Sequence, residues 1–116
     1  MSATNKIAES LKRFDVCLIN LDPTISSEIR KTKPCLIVSP DEMNQSTLKT
    51  VIIAPLTSTI RENYPTRALI IFNKKQGQIA LDQIRAIDRT RIIKNIGKIN
   101  APERQNVLRI LQEMFA

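Results

Sequence analysis

The sequence contains no histidine and no tryptophan, and its two cysteines do not form a C-x-x-C pair. Imidazole and paired thiolates are the usual ligands of zinc and of soft transition metals, so these absences argue against such a metal centre. Carboxylates alone could hold Mg²⁺, but no acidic cluster spaced for that purpose stands out. We therefore expect a protein that works without a metal and without any other cofactor.

Aromatic residues are scarce and long apolar runs are missing. With three Phe and one Tyr in the chain, Tyr64 is the one candidate for stacking on an unpaired base, and plain loop packing is its alternative role. No apolar stretch is long enough to span a membrane, and residues 1–12 lack the apolar segment of a signal peptide. We therefore expect a cytoplasmic protein, in which Cys17 and Cys35 are reduced core residues.

Positive charge is abundant. Eighteen Lys and Arg stand against eleven Asp and Glu, which gives a net charge of +7 on 116 residues. Three of these cations, Arg30, Lys31 and Lys33, fall within the polar loop of residues 22–34, which has a proline near each end. Such a balance favours a polyanionic partner, with nucleic acid first and an acidic protein tail second; the alternative is that the charge serves only solubility.

Short β-branched runs predict a mainly β domain. Strands are expected at residues 14–21, 35–38, 51–56 and 67–72, the first three buried on both faces. A turn at residues 73–77, with Gly77 at positive φ, should lead to a hairpin partner at residues 78–81. Residues 84–99 predict further short strands around a polar turn at 88–91. A small SH3-like barrel is the simplest closure of these strands, since it removes exposed edges.

The C-terminus carries the clearest helical signal. Asn100 can cap the helix, Pro102 suits its first turn, and Glu103 lies three residues after the cap. Residues 2–13 are weakly amphipathic, which is compatible with a short helix or a frayed segment, and residues 1–13 are interpreted as an N-terminal extension to one domain of residues 14–116. The predicted apolar stripe of the C-terminal helix consists of Val107, Leu108, Leu111, Met114 and Phe115.

Four motifs in a fixed order carry a family resemblance. Asp22-Pro23 follows the first strand, Ser27-Glu28 and a run of basic residues lead to Lys33-Pro34, and residues 53–58 read I-A-P-L-T-S. Residues 81–88 then read L-D-Q-I-R-A-I-D. From about Phe14 to its end, the chain resembles the MazF/PemK-like toxins.

The resemblance implies a CcdB/PemK-like barrel with a C-terminal helix that works as a homodimer. It implies the toxin of a type II toxin–antitoxin system, a metal-independent and sequence-selective endoribonuclease that cleaves single-stranded RNA. Products with a 2′,3′-cyclic phosphate and a 5′-OH are expected. An acidic antitoxin protein is the expected second partner, occupying the RNA groove.

The resemblance also assigns residues. Lys33 and Thr57 take the catalytic positions, and Lys33 stands where relatives usually carry arginine, so the charge is kept but the planar fork is lost. Ser26 replaces a glycine of many relatives, and Ala80 replaces an arginine of some. The general base is Glu28, Asp82, another carboxylate or water. The expected nucleic-acid-binding residues are Ser27, Glu28, Arg30, Lys31, Ser58, Asp82 and Gln83.

Two alternatives stay open at the level of sequence. The same barrel is used by non-enzymatic toxins that poison DNA gyrase, which would need no phosphate clamp. The substitutions at positions 26 and 33 are also compatible with a catalytically weakened relative that only binds RNA or an antitoxin.

Overall fold

The computed structural model describes residues 10–21 and 32–116, which fold as a mostly β half-barrel with a C-terminal helix. This confirms the predicted fold class. Two short helical turns, Leu81–Gln83 and Arg89–Arg91, flank the strand Arg85–Asp88. The strands are β1 (Asp15–Asn20), β2 (Thr32–Ile37), β3 (Thr50–Thr57), β4 (Arg67–Phe72), β5 (Lys75–Ala80), β6 (Arg85–Asp88) and β7 (Ile92–Lys98), and the helices are α1 (Asp41–Asn44) and α2 (Ala101–Phe115).

Strand β3 is the branching point of the sheet. The strand order is β4-β5-β3-β2-β1-β7, and every pairing is antiparallel. One edge of β3 pairs with β2, whereas its other edge pairs with β6 near Thr50 and with β5 at Leu56 and Thr57. Near its C-terminal end, β3 therefore passes from pairing with β2 at Pro55 to pairing with β5 at Leu56 and Thr57.

The central strands are buried on both faces, as predicted for residues 14–21, 35–38 and 51–56. Val16 and Leu36 belong to a core cluster that includes residues of α2, whereas Cys17 and Cys35 face a second cluster on the other side. The two cysteines lie opposite each other on β1 and β2 and are free thiols. Burial raises the pKa of each thiol to about 12, which is the behaviour expected of core residues.

Helix α2 begins as predicted, and its apolar face agrees with the predicted stripe except at Ile110 and Phe115. The Asn100 side chain accepts from the Glu103 N–H at 2.9 Å while Glu103 accepts from the Asn100 N–H at 3.0 Å, a complete capping box. Val107 is buried, but its buried partner is Ile110, which the predicted stripe omitted. Phe115, placed in that stripe, is 71% exposed. Leu111 and Met114 of the predicted stripe are partly buried and pack against the same core cluster as Val107 and Ile110, so the stripe faces the core along most of the helix.

The β4–β5 hairpin corrects the expected role of Gly77. Asn73 and Lys74 have φ of 51° and 65°, so they form a two-residue turn of the kind that suits a twisted hairpin. Gly77 lies inside β5 instead. A Cβ at this position would be 2.8 Å from the Thr57 carbonyl oxygen, so close strand packing, rather than a positive φ, requires the glycine.

Most of the predicted N-terminal extension lies outside the described residues. Within them, Leu11 is buried and packs in the same cluster as Cys17 and Ile19. Arg13 contacts the Phe14 ring and donates to the Val38 carbonyl at 3.0 Å. In residues 10–21 and 32–116, no helix combines the length and the apolar character needed to cross a membrane.

Candidate functional site

The two predicted catalytic residues meet at adjacent strand ends. Residues Cys35 and Pro55 are partners in the β2–β3 ladder, as are Ile37 and Ile53. Lys33 lies two residues before Cys35 on β2, and Thr57 lies two residues after Pro55 on β3, just beyond the end of this ladder. Both side chains line the same two surface pockets.

Those pockets differ in size and chemistry. The larger has a volume of about 570 Å³ and an apolar floor that includes Leu56, Ile70 and Phe72. The smaller, of about 170 Å³, is walled mostly by polar and cationic side chains. Lys33, Thr57 and Thr59 line both, so they form a shared wall between an apolar pocket and a polar one. The smaller pocket is lined by Lys33, Thr57, Thr59, Arg61, Arg67 and Gln83, together with Pro55 and Ala80.

Local hydrogen bonds fix the loop that follows β3. The Thr59 N–H donates to the Thr57 hydroxyl oxygen at 3.1 Å. Gln78, which pairs with Thr57 across β3 and β5, is buried and binds the backbone of Arg61 twice. Its side-chain carbonyl accepts from the Arg61 N–H at 3.0 Å, and its amide donates to the Arg61 carbonyl at 3.3 Å. The polar loop therefore leaves the shared wall in a defined direction.

Asp82 is tied to Arg67. The Arg67 Nε donates to the Asp82 carboxylate at 2.8 Å, and the Thr66 hydroxyl donates to it at 3.0 Å. The hydrogen bond from Arg67 is the largest of the contributions that hold the pKa of Asp82 below its ordinary value. The carboxylate is bound to Arg67, which lines the smaller pocket and whose side chain is only 9% exposed.

The other sequence-predicted residues divide into two groups. Ser58 lines the larger pocket and Gln83 the smaller one. The remaining four, Ser27, Glu28, Arg30 and Lys31, lie outside the described residues.

Sequence reasoning missed Arg61 and Arg67 as pocket residues. They lie on either side of Tyr64 in the chain, and their guanidinium carbons are 6.0 Å and 5.1 Å from the centre of its ring. One sequence signal could have indicated them. Tyr64, the candidate for stacking on a base, has an arginine three residues before it and another three residues after it. In the part of the chain that the structure describes, no three His, Cys, Asp or Glu side chains are placed to hold a metal ion.

Comparison with known proteins agrees with this architecture. A curated relative, endoribonuclease MazF9 of Mycobacterium tuberculosis (strain ATCC 25618 / H37Rv), is 28% identical over 101 residues, covering 80% of this chain and 86% of the relative. An endoribonuclease solved in complex with its cognate antitoxin, from a mycobacterial species, superimposes with a TM-score of 0.74 at 20% identity, covering 91% of this chain and 95% of that one.

MazF (Form-I) from Deinococcus radiodurans gives a TM-score of 0.71 at 21% identity, covering 90% of this chain and 96% of that one. At these identities the two structures establish the shared fold. Residues 12–115 match the family model described as the PemK-like, MazF-like toxin of type II toxin–antitoxin systems. The match spans nearly the whole chain, which therefore belongs to this toxin family.

Proposed function

We propose that this toxin is a metal-independent, sequence-selective endoribonuclease that cleaves single-stranded RNA at the shared wall of the two pockets. One observation carries the assignment: Lys33 and Thr57, from different strands, line the same pair of pockets. The curated relative, which covers 80% of the chain, is named an endoribonuclease.

The chemistry needs a cation and a hydroxyl at one phosphate. The ribose 2′-OH attacks phosphorus and loses its proton to a base, the bond from phosphorus to the 5′ oxygen breaks, and that oxygen takes up a proton. The products are a 2′,3′-cyclic phosphate and a 5′-OH. Negative charge grows on the phosphate oxygens in the transition state, where the Lys33 ammonium and the Thr57 hydroxyl stabilise it. Because the Thr57 oxygen accepts from Thr59, its own proton can be directed at the phosphate.

The general base is Glu28 or water in this proposal. Asp82, the other named carboxylate, has a lowered pKa and is bound to Arg67, so it is a weak and poorly placed base. Lys33 is suited to protonate the leaving oxygen, because an ammonium both carries charge and holds a transferable proton.

The remaining sequence assignments complete the proposed RNA site. Ser58 and Gln83 contact RNA on opposite sides of the shared wall. Ser27, Arg30 and Lys31 are the further expected contacts, in which the charges of Arg30 and Lys31 attract the phosphate backbone.

The proposed partners follow from charge and family. An acidic antitoxin would compete with RNA for the basic groove, since the net charge of +7 attracts both. The structural neighbour solved with its cognate antitoxin makes such a complex the expected regulated state. We further propose that the toxin acts as a homodimer, in the cytoplasm, where its RNA substrate is found.

Cleavage assays in EDTA test this function. Purified protein is incubated with mixed single-stranded RNA, and the cut ends are mapped and their phosphates identified. We expect cuts at one short sequence, with cyclic phosphate and 5′-OH ends. Lys33→Ala and Thr57→Val should each lower kcat by about a hundredfold or more, the size reported for losing one transition-state donor. Lys98→Ala removes an exposed lysine of β7 outside both pockets and should cleave normally.

Two results would count against the proposal. One is intact RNA at high protein concentration, and inhibition of DNA supercoiling by the same preparation would then favour the gyrase-poisoning alternative. The other is unchanged cleavage by Lys33→Ala, which would remove the site assignment even if RNA were cut.

A further inference from the structure

We propose that the smaller pocket is a second phosphate subsite, in which Arg61 binds the phosphate next to the scissile one. The proposal rests on the proposed endoribonuclease function and adds a substrate-binding residue to it. The pocket shares Lys33, Thr57 and Thr59 with the larger one, so a nucleotide chain that is cleaved at the wall has its neighbouring unit beside Arg61.

The charge of the pocket is only partly neutralised. Lys33, Arg61 and Arg67 contribute three cations to its lining. Asp82 pairs with Arg67 at 2.8 Å, and the other ion pair within residues 10–21 and 32–116 joins Arg109 to Glu113 on α2. Arg61 therefore brings a guanidinium to the pocket without a carboxylate partner in the described part of the chain. An anion entering the pocket gains this charge without breaking an existing ion pair.

The lining favours a phosphate over a base. Thr57 and Thr59 supply hydroxyls and Gln83 an amide, whereas the larger pocket offers Leu56 and Phe72 as apolar surface. A base placed in the smaller pocket would remove water from cationic groups without neutralising them, which is costly. A phosphate compensates them directly. The larger pocket is correspondingly the better place for an unstacked base.

The backbone of Arg61 is anchored beside the smaller pocket, and its guanidinium lies near Tyr64. Both backbone polar groups of Arg61 are bonded to the buried Gln78 side chain, and its guanidinium lies 6.0 Å from the Tyr64 ring centre. A positioned guanidinium can grip two phosphate oxygens with its planar fork, which the ammonium of Lys33 cannot do. Arg61 can therefore orient the RNA backbone, which Lys33 cannot do because its ammonium lacks a planar fork. Tyr64 is a positioning residue in this scheme.

Binding to uncleavable RNA provides the test. The probe is a single-stranded RNA that contains a mapped cut site, with a 2′-deoxy sugar at the cleaved position. Arg61→Ala should weaken its Kd by about tenfold to a hundredfold, as expected for one charged hydrogen-bonded contact. The slope of log Kobs against log salt should become shallower by about 0.7. Arg61→Lys, which keeps the charge without the fork, should be intermediate.

The matched control is Arg109→Ala, which removes an arginine of α2 that lines neither pocket. It should bind the probe as the wild type does. A second probe carries a neutral methylphosphonate at the linkage adjoining the cut site, tested on each side in turn. On one of these probes the wild type and Arg61→Ala should bind equally, because the phosphate that Arg61 contacts has lost its charge. Tyr64→Leu should weaken binding of the charged probe, and Tyr64→Phe should not.

The proposal is overturned if Arg61→Ala and Arg109→Ala bind the charged probe equally, even where the wild type cleaves RNA efficiently. It is also overturned if Arg61→Ala still binds more weakly than the wild type to both probes that carry a neutral linkage. If the wild type cuts no RNA, the endoribonuclease function fails separately. Binding of a short mixed-sequence RNA by the same variants then decides the role of Arg61 alone.

Discussion

Replacing Gly77, which lines the larger pocket, by alanine should displace the end of β3 that carries Thr57. A Cβ at Gly77 would be 2.8 Å from the Thr57 carbonyl oxygen, about 0.6 Å short of the 3.4 Å at which ordinary contact begins. The obstacle is backbone rather than a flexible side chain, so β3 and β5 have to separate where Thr57 pairs with Gln78. The displaced strand end is the one that carries the proposed catalytic hydroxyl.

The expected size of this effect follows from the packing. Overpacking of this kind costs about 1–3 kcal/mol of unfolding free energy. For a chain of this length, that corresponds to a fall in melting temperature of about 4–12 °C. A displacement of about 1 Å can cost a hundredfold in rate, so a shift of roughly half that size should lower kcat by about tenfold.

The assay compares the stability of Gly77→Ala with that of Gln76→Ala, its exposed neighbour on β5, and the cleavage rate of Gly77→Ala with that of Arg109→Ala, which lies outside both pockets. Melting temperature is followed by circular dichroism, and cleavage of RNA is measured well below both melting temperatures. Gln76→Ala should match the wild type in stability. Normal stability together with normal cleavage in Gly77→Ala would refute the close approach of these strands as the reason for the glycine. Lower stability with an unchanged rate would refute its link to the position of Thr57.

Three further predictions concern stability and reactivity. Because the pKa of Asp82 is lowered by Arg67, its stabilising contribution is present above about pH 4 and is lost as the pH falls through the folded-state pKa. Asp82→Asn should therefore show a flatter melting temperature between about pH 2 and pH 6 than the wild type, and parallel curves would contradict this. With a pKa of about 12, Cys17 and Cys35 should resist a thiol reagent at neutral pH in the folded protein and react once denatured; rapid labelling without denaturant would contradict their burial. Asn100→Ala should cost about 0.5–2 kcal/mol in urea unfolding through loss of the capping box, and an unchanged midpoint would argue against that cap.

Strand positions were largely predictable because β-branched runs mark buried strands independently of their partners. The start of β2 could not be predicted in this way. It begins at Thr32, although the apolar run begins at Cys35, because Thr32 and Lys33 pair with Asn20 and Ile19 of β1. Long-range pairing thus extends the strand over polar residues, and Lys33 on this extension lines the same pockets as Thr57.

The residues with positive φ in the β4–β5 turn differ from the predicted one. Gly77 attracted the prediction because glycine is the usual residue at positive φ. Asn73 followed by Lys74 takes that role instead, and asparagine tolerates the left-handed region well. The approach of Gly77 to Thr57 depends on a strand twenty residues earlier, so no local pattern could reveal it.

The residues of the candidate site were likewise predictable only in part. Motif order located Lys33 and Thr57, because the family resemblance attaches roles to those positions. Arg61 and Arg67 belong to no such motif, and their place in the smaller pocket depends on how Gln78 and Tyr64 hold the loop. Arg61 and Arg67 could therefore be recognised as pocket residues only after the positions of Gln78 and Tyr64 were known.

The pairing of β1 with β7 has a consequence for biosynthesis. Val16 and Ile19 lie on a strand whose second edge is covered by residues 92–98, so that edge stays open while the ribosome is still making the rest of the polypeptide. Ile96 of β7 also lines the larger pocket. A nascent chain that still lacks residues 92–98 therefore lacks part of the lining of the larger pocket, and the pocket is complete only after β7 has been made.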